Sequence, residues 1–233
     1  FPTRRSSDLL SMITITNEDN MVLMARYPDK YFDLAIVDPP YGLGDTKLTQ
    51  GGTWANKYKK GDAAWDIRPP YEYFLELFRV SKNQIIWGAN YFSELPECRC
   101  FLIWDKIAQM DTMADCEFAW TSFNKNAKIF RGHRNTTEKR IHITQKPIKL
   151  YEWLLKNYAQ PNQSIIDTHS GSNSLALAVL HRNLKYNTNY SLVSCEIDKQ
   201  YYDDSIERIT TWKKEHLSAD IEPVTATGQH KLF

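Results

Sequence analysis

Phe32-Asp33-Leu34-Ala35-Ile36-Val37-Asp38-Pro39-Pro40-Tyr41-Gly42 decides how this chain is read. Leu34 to Val37 is a short apolar, partly β-branched run of the kind that makes a strand buried on both faces. Pro39 and Pro40 have no N–H to give to a ladder, so the strand ends before them. Asp38, two backbone carbonyls and Tyr41 are thereby left at the carboxyl edge of a sheet, where open α/β sheets bind ligands. A carboxylate and a fixed carbonyl accept the two N–H hydrogens of a planar ligand bearing an amino group, and a phenol ring stacks on its face. The plainer alternative is a Pro-Pro turn after a strand, with Asp38 and Tyr41 incidental.

A second stretch has the same character. Gln163-Ser164-Ile165-Ile166-Asp167 reads as a strand entering Thr168-His169-Ser170-Gly171-Ser172-Asn173-Ser174, with a helix from Leu175 to Leu180. Strand, tight turn of small residues and helix N-terminus make a nucleotide-class site. Gly171 and its small neighbours let a ligand approach the backbone. Further on, Leu192 to Asp198 gives another strand whose terminal acid, Glu196, is placed to hydrogen-bond two ribose hydroxyls. Asp198 is expected to cap the next helix, with Tyr202, Ile206 and Ile209 on its core face. Thr144-Gln145-Lys146-Pro147 opens a helix carrying Ile148, Tyr151, Leu155 and Tyr158 on one side.

Asp38-Pro39-Pro40-Tyr41, the 167–174 turn, Glu196 and the Gln-Lys-Pro start together resemble the S-adenosylmethionine-dependent DNA amino-methyltransferases, of the adenine type. The cytosine-amino type usually has Ser in place of Asp38. The 38–41 motif precedes the 167–174 motif, which is the order of the circularly permuted, β-class members. The resemblance implies one doubly wound, mostly parallel α/β sheet with one antiparallel strand. It implies catalysis by Asp38, Pro39, Pro40 and Tyr41. Binding of S-adenosylmethionine, released as S-adenosylhomocysteine, would fall to Asp19, Asp38, Lys146, Asp167, His169, Ser170, Gly171, Ser172, Asn173 and Glu196. Two departures from the pattern stand out: Thr168-His169 where Pro-Phe is usual, and Asn173 where a second glycine is common. The substrate implied is a flipped-out adenine in double-stranded DNA. A cytosine 4-amino methyltransferase, or a catalytically weak DNA-binding protein of the same fold, are the alternatives.

The remaining chain fits around these pieces. Met12 to Thr16 alternates as a strand, and Met21 to Ala25 suggests a helix. Pro69-Pro70 precede a helix with Tyr71, Phe74 and Phe78 on one face; Gln84–Trp87, Phe101–Trp104 and Glu117–Trp120 read as further strands. Residues 43–70 form a long polar loop in which Lys57, Lys59 and Lys60 interleave with aromatics, suited to phosphate contact and base stacking. From Asn124 to Lys149, eight basic residues stand against Glu138 alone. Lys128, Arg131, Arg134, Lys139 and Arg140 are expected to touch DNA, with 124–141 sharing target recognition. His142 reads as an ordinary loop histidine.

The 233 residues suffice for one α/β domain, expected over 12–215, with 1–11 a disordered or non-native extension and 216–233 a flexible tail. A 42% hydrophobic and 13% aromatic composition is that of a globular protein. The net charge of +1 requires any nucleic-acid surface to be a local concentration of cations. The four cysteines show no zinc-type spacing, so no metal is expected and a reducing cytoplasm is. Gln229, Leu232 and Phe233 resemble a peptide that docks in the bacterial sliding clamp; a partnerless tail is the alternative, and the protein is expected to be a monomer or homodimer.

Overall fold

In a computed structural model, residues 12–43, 66–107, 114–133, 140–142 and 144–217 are described. The expectations for residues 1–11, Lys57, Lys59, Lys60, Arg134, Lys139, Gln229, Leu232 and Phe233 lie outside the described residues.

Among the described residues, eight strands make one sheet: β1 (Ile13–Asn17), β2 (Phe32–Val37), β3 (Ser81–Trp87), β4 (Leu102–Asp105), β5 (Cys116–Thr121), β6 (Lys128–Arg131), β7 (Ser164–Asp167) and β8 (Ser191–Glu196). Their spatial order is β1-β8-β7-β2-β3-β5-β4-β6. β5 alone runs antiparallel, to β3 on one side and β4 on the other, as the sequence led one to expect. The helices are α1 (Asn20–Ala25), α2 (Tyr71–Val80), α3 (Ile148–Tyr158), α4 (Ser174–Tyr186) and α5 (Lys199–Leu217).

Each central strand is apolar on both sides because each side has its own helical layer. Leu34 and Ile36 of β2, Ile85 and Trp87 of β3 and Ile165 of β7 pack into one core with Leu150, Leu154 and Leu155 of α3 and Leu175 to Leu180 of α4. The intervening Ala35, Val37, Ile86 and Ile166 pack into a second core with Leu23 and Met24 of α1 and Tyr73, Phe74 and Leu77 of α2. The two-residue period of a strand delivers alternate side chains to the two cores.

Two readings of faces need correction, and one strand was missed. On α2 the buried set is Tyr73, Phe74, Leu77 and Val80, whereas Tyr71 is exposed. Helix and sheet share the chain directly there, β3 beginning at Ser81, so the core-facing stripe is set by that junction. On α5 the core face is Tyr201, Ser205 and Ile209: Ile209 is buried as expected, whereas the expected Tyr202 and Ile206 stand one residue past the buried Tyr201 and Ser205. Asp198 fixes that register by capping: its Oδ1 accepts from the N–H groups of Gln200 (2.9 Å) and Tyr201 (3.0 Å). The edge strand β6 was not foreseen. Lys128-Ile129-Phe130-Arg131 is largely exposed, and what makes it a strand is its pairing with β4.

Ile85 is fully buried at the centre of the sheet. Ile85→Ala is expected to lose about 2–5 kcal/mol of unfolding free energy. Denaturant titration checks this, and a loss under about 1 kcal/mol would contradict the packing described.

Candidate active site

β2 and β7 lie side by side and parallel, Leu34 facing Ile165 and Ala35 facing Ile166. Parallel neighbours end at the same edge, so Asp38 after β2 and the 168–173 turn after β7 emerge together. β8 is the next strand beyond β7 and brings Glu196 to that edge. One cavity results. Asp38, Pro39, Pro40 and Tyr41 form one wall; His169, Ser170, Gly171, Ser172, Glu196 and Ile197 form another. His142, Thr144, Gln145, Lys146, Tyr151 and Tyr201, with Leu43 and Asp66, complete the lining.

The 168–173 turn is held from several sides. Gly171 has φ +48 and donates its N–H to Glu196 Oε2 at 2.8 Å. A Cβ at Gly171 would come to 3.7 Å from the His142 ring, filling space now open to the cavity. Asn173 adopts φ 54, the left-handed conformation asparagine tolerates better than most residues. Its side chain accepts from Ser194 Oγ (3.2 Å) and donates to Ser205 Oγ (2.8 Å), tying the turn to β8 and α5. So the residue at the second-glycine position serves the backbone and does not line the cavity. Arg208 donates to the Ser172 carbonyl (2.8 Å) and fastens the turn further.

The carboxylates differ in what they do. Glu196 Oε1 accepts from the Asp198 N–H at 2.9 Å, which with the Gly171 contact leaves each oxygen a further lone pair for a hydroxyl. Burial raises its pKa, against the pull of these N–H groups. Asp167 lies buried beneath the turn, with Oδ1 accepting the His169 N–H at 3.1 Å. Burial pushes its carboxyl up to about 8, and the neighbouring Asp38 and Glu196 add to this. It is not part of the cavity lining. Neither is Asp19, whose Oδ1 accepts from Met21 N–H (2.8 Å) and Val22 N–H (3.2 Å) as the cap of α1.

Asp38 and Tyr41 meet: the Tyr41 hydroxyl donates to Asp38 Oδ1 at 2.7 Å. Lys146, expected only beside a cofactor and counted in a solvent-facing basic cluster, is buried, its side chain 2% exposed. Its ammonium pairs with Asp38 Oδ2, lies 3.1 Å from Glu117 Oε2 and donates to the Tyr41 hydroxyl at 3.4 Å. Burial opposes the Lys146 charge, and the two carboxylates overcome it and raise its pKa. Burial raises the Asp38 pKa, with Lys146 as the main opposing influence. The Tyr41 ring stacks on Tyr91 at 4.7 Å and 18° and covers Gly88, so part of the stacking surface expected for a ligand is taken by the protein.

Several lining residues were not among the expected site residues, His142 and Gln145 among them. His142 is buried, its Nδ1 accepting the Thr144 N–H at 3.2 Å and its ring 4.1 Å from Tyr201. Burial lowers its pKa to about 4, so it is neutral near pH 7. Gln145 accepts the Ile141 N–H at 3.1 Å and rigidifies the same segment. His142 lies six residues and Gln145 three before the start of α3, and for His142 that position was the sole signal, a weak one.

The described members of the expected DNA-contacting set, Lys128, Arg131 and Arg140, sit in different surroundings. Arg131 ends β6 and reaches Asp105 (3.3 Å), whereas Lys128 begins it and bonds Asn157 (3.2 Å). β6 is four strands from β2, roughly 19 Å at the usual strand spacing. Arg140 is half-buried, with Nη2 donating to the Gln145 carbonyl at 3.5 Å, and so lies by the cavity.

Comparison with known proteins follows the same lines. The N6/N4 methyltransferase family model, described as DNA methylase, matches residues 16–207. "Putative methylase YubD" of Escherichia coli (strain K12) is 24% identical over 214 residues, covering 82% of this chain and 87% of that protein. Among solved structures, the M1.HpyAVI–SAM complex is similar with a TM-score of 0.54 and 18% identity, over 85% of this chain and 99% of that one. The PvuII DNA methyltransferase (cytosine-N4-specific) is similar with a TM-score of 0.55 and 13% identity, over 84% and 88%.

Two outcomes test this geometry. Gly88 has φ +80, and an added Cβ would sit 2.2 Å from Tyr41 Cε1. Gly88→Ala is therefore expected to lose about 1–3 kcal/mol in denaturant unfolding; a variant as stable as the parent contradicts the packing. The Asp167 carboxyl, at about 8 when folded, keeps a proton that the unfolded chain sheds near pH 4. Its contribution to stability is complete below about pH 4 and is lost as pH rises through 8. Asp167→Asn is expected to flatten the fall in unfolding midpoint between about pH 5 and 9, and an equal fall in both proteins would contradict the burial argument.

Proposed function

The chain belongs to the N6/N4 DNA methylase family, and we propose that within it this protein transfers a methyl group from S-adenosylmethionine to the 6-amino group of adenine in duplex DNA. One observation carries the proposal: Asp38-Pro39-Pro40-Tyr41 and the Ser170–Ser172 turn with Glu196 wall a single cavity. The β-class, permuted order of motifs accords with it, the 38–41 segment coming first in the chain.

The residues present fit S-adenosylmethionine. The Ser170 hydroxyl is buried and has no hydrogen-bond partner among the described residues, an orphan donor in the cavity wall. Gly171 leaves room where a side chain would stand. Asp38, Asp167 and Glu196 are carboxyls whose ionisation burial disfavours, which suits a ligand carrying two positive charges. Glu196 would hold the ribose hydroxyls, and Asp167, through the turn it supports, the methionine end. When bound, the group supplies an electrophilic methyl on sulfur.

The protein's own part is orientation and charge. The adenine amino nitrogen is a weak nucleophile because its lone pair is delocalised into the ring. Asp38 and the Pro39 carbonyl would accept its two hydrogens and draw the nitrogen toward tetrahedral geometry, freeing the lone pair for direct displacement. Fixed acceptors aimed at developing positive charge supply most of the rate. A stacked base must leave the duplex at a cost of a few kcal/mol. Tyr41, already braced by Tyr91 and bonded to Asp38, would offer the target base its remaining edge and face. Residues 43–70 and 124–141, with Arg131 and Arg140 among the described cations, would meet the phosphates.

The test is methyl transfer to DNA from methylation-deficient bacteria, followed by mass analysis of the nucleosides. N6-methyladenine is expected; N4-methylcytosine in its place would move the enzyme to the cytosine type. Asp38→Ala is expected to lower transfer by at least about a thousandfold while leaving S-adenosylmethionine affinity within a few-fold. Full activity in that variant would refute the role of Asp38.

A further inference from the structure

Resting on the reading above, we propose that Glu117 is a positioning residue for the reaction, acting on Asp38 through Lys146. Glu117 belongs to β5, the antiparallel strand, and no sequence motif singled it out. One of its oxygens, Oε2, lies 3.1 Å from Lys146 Nζ; the other, Oε1, lies 2.9 Å from Lys106 Nζ. Lys146 in turn pairs with Asp38. Four charges of alternating sign thus run Asp38, Lys146, Glu117, Lys106, starting at the cavity wall, and they balance.

The alternation matters because Asp38 has two claims on it. Its oxygens already accept from the Tyr41 hydroxyl and the Lys146 ammonium. A target amino group needs one of those oxygens for its own N–H. An ammonium left against Asp38 would also repel the positive charge that grows on the amino nitrogen as the methyl arrives. Lys146 is buried and cannot retreat to water, so it needs a second carboxylate. Glu117 is that carboxylate, held ready because Lys106 fixes its far oxygen and the two lysines keep its pKa down at about 2 against the effect of burial. The N–H of the target base would take the place of a Lys146 N–H on Asp38, while Lys146 stays on Glu117. No bond other than hydrogen bonds changes in this exchange.

Charge and shape at position 117 are separable. Glu117→Gln keeps the shape and removes the charge; Glu117→Asp keeps the charge and shortens the reach. With labelled S-adenosylmethionine and DNA from methylation-deficient bacteria, E117Q is expected to lower kcat at least tenfold with cofactor affinity unchanged. E117D is expected to retain more activity than E117Q. A purely structural role for Glu117 gives the reverse order, Gln being the closer match in shape, and that result overturns the inference. Equal activity of E117Q and wild type also overturns it. A wild type that transfers no methyl group overturns the functional reading and this inference together, whereas a wild type that is active separates the two. Should E117Q fail to fold, a crystal structure of the wild type decides. The complex would hold a cofactor analogue and a duplex bearing the site found by modified-base sequencing. Lys146 is expected to have left Asp38 and kept Glu117; an Asp38–Lys146 pair intact beside the bound base contradicts the proposal.

Discussion

Everything at this site depends on the parallel pairing of β2 with β7. The two strands are far apart in the chain, yet Leu34 stands opposite Ile165 and Ala35 opposite Ile166. Parallel strands share a carboxyl edge, so Asp38 and the 168–173 turn must open on the same side. A slip of one residue would send Leu34 and Ile36 toward the wrong core and move Asp38 out of line with the turn. The two cores enforce the register, since each accepts only alternate side chains of both strands.

That constraint also explains the electrostatics. Strands converging on one edge bring Asp38, Asp167 and Glu196 together in a poorly hydrated space, where ionisation of all three is costly. The protein offsets part of this internally: N–H groups of Gly171 and Asp198 serve Glu196, and the Lys146 ammonium serves Asp38. The rest is left for a cationic ligand. The stacking of Tyr41 on Tyr91 fixes the remaining wall without using charge.

Much of this was legible in the sequence, and the reasons are physical. Leu34–Val37 and Ile165–Ile166 are apolar without a helical period, and each is stopped by an acid followed by residues poor at extending a strand, so both strands and their edges could be read. Asp38, Gly171 and Glu196 follow from those ends. Asn173 was placed at the right turn, but only the fold shows that its side chain faces Ser194 and Ser205. Asp19 reads equally as a ligand or a helix cap until α1 is seen to need one. Lys146 sits in a run of basic residues, and nothing local distinguishes a buried lysine from a solvated one. Glu117 lies on β5 and Lys106 just past the end of β4; the pairing of those strands decides which charges meet, and pairing is not a local property. β6 escaped notice because it is a four-residue edge strand with a cation at each end and only two apolar residues between them.

The central claim is that one cavity holds both the methyl donor and the Asp38 edge. A crystal structure of the wild-type chain with S-adenosylmethionine tests it most directly. The account predicts the ribose hydroxyls on Glu196, the methionine end by the Ser170–Ser172 turn, and the sulfonium methyl directed at the mouth formed by Asp38, Pro39 and Tyr41. A donor bound elsewhere, or seated with its methyl pointing away from Asp38, would contradict it.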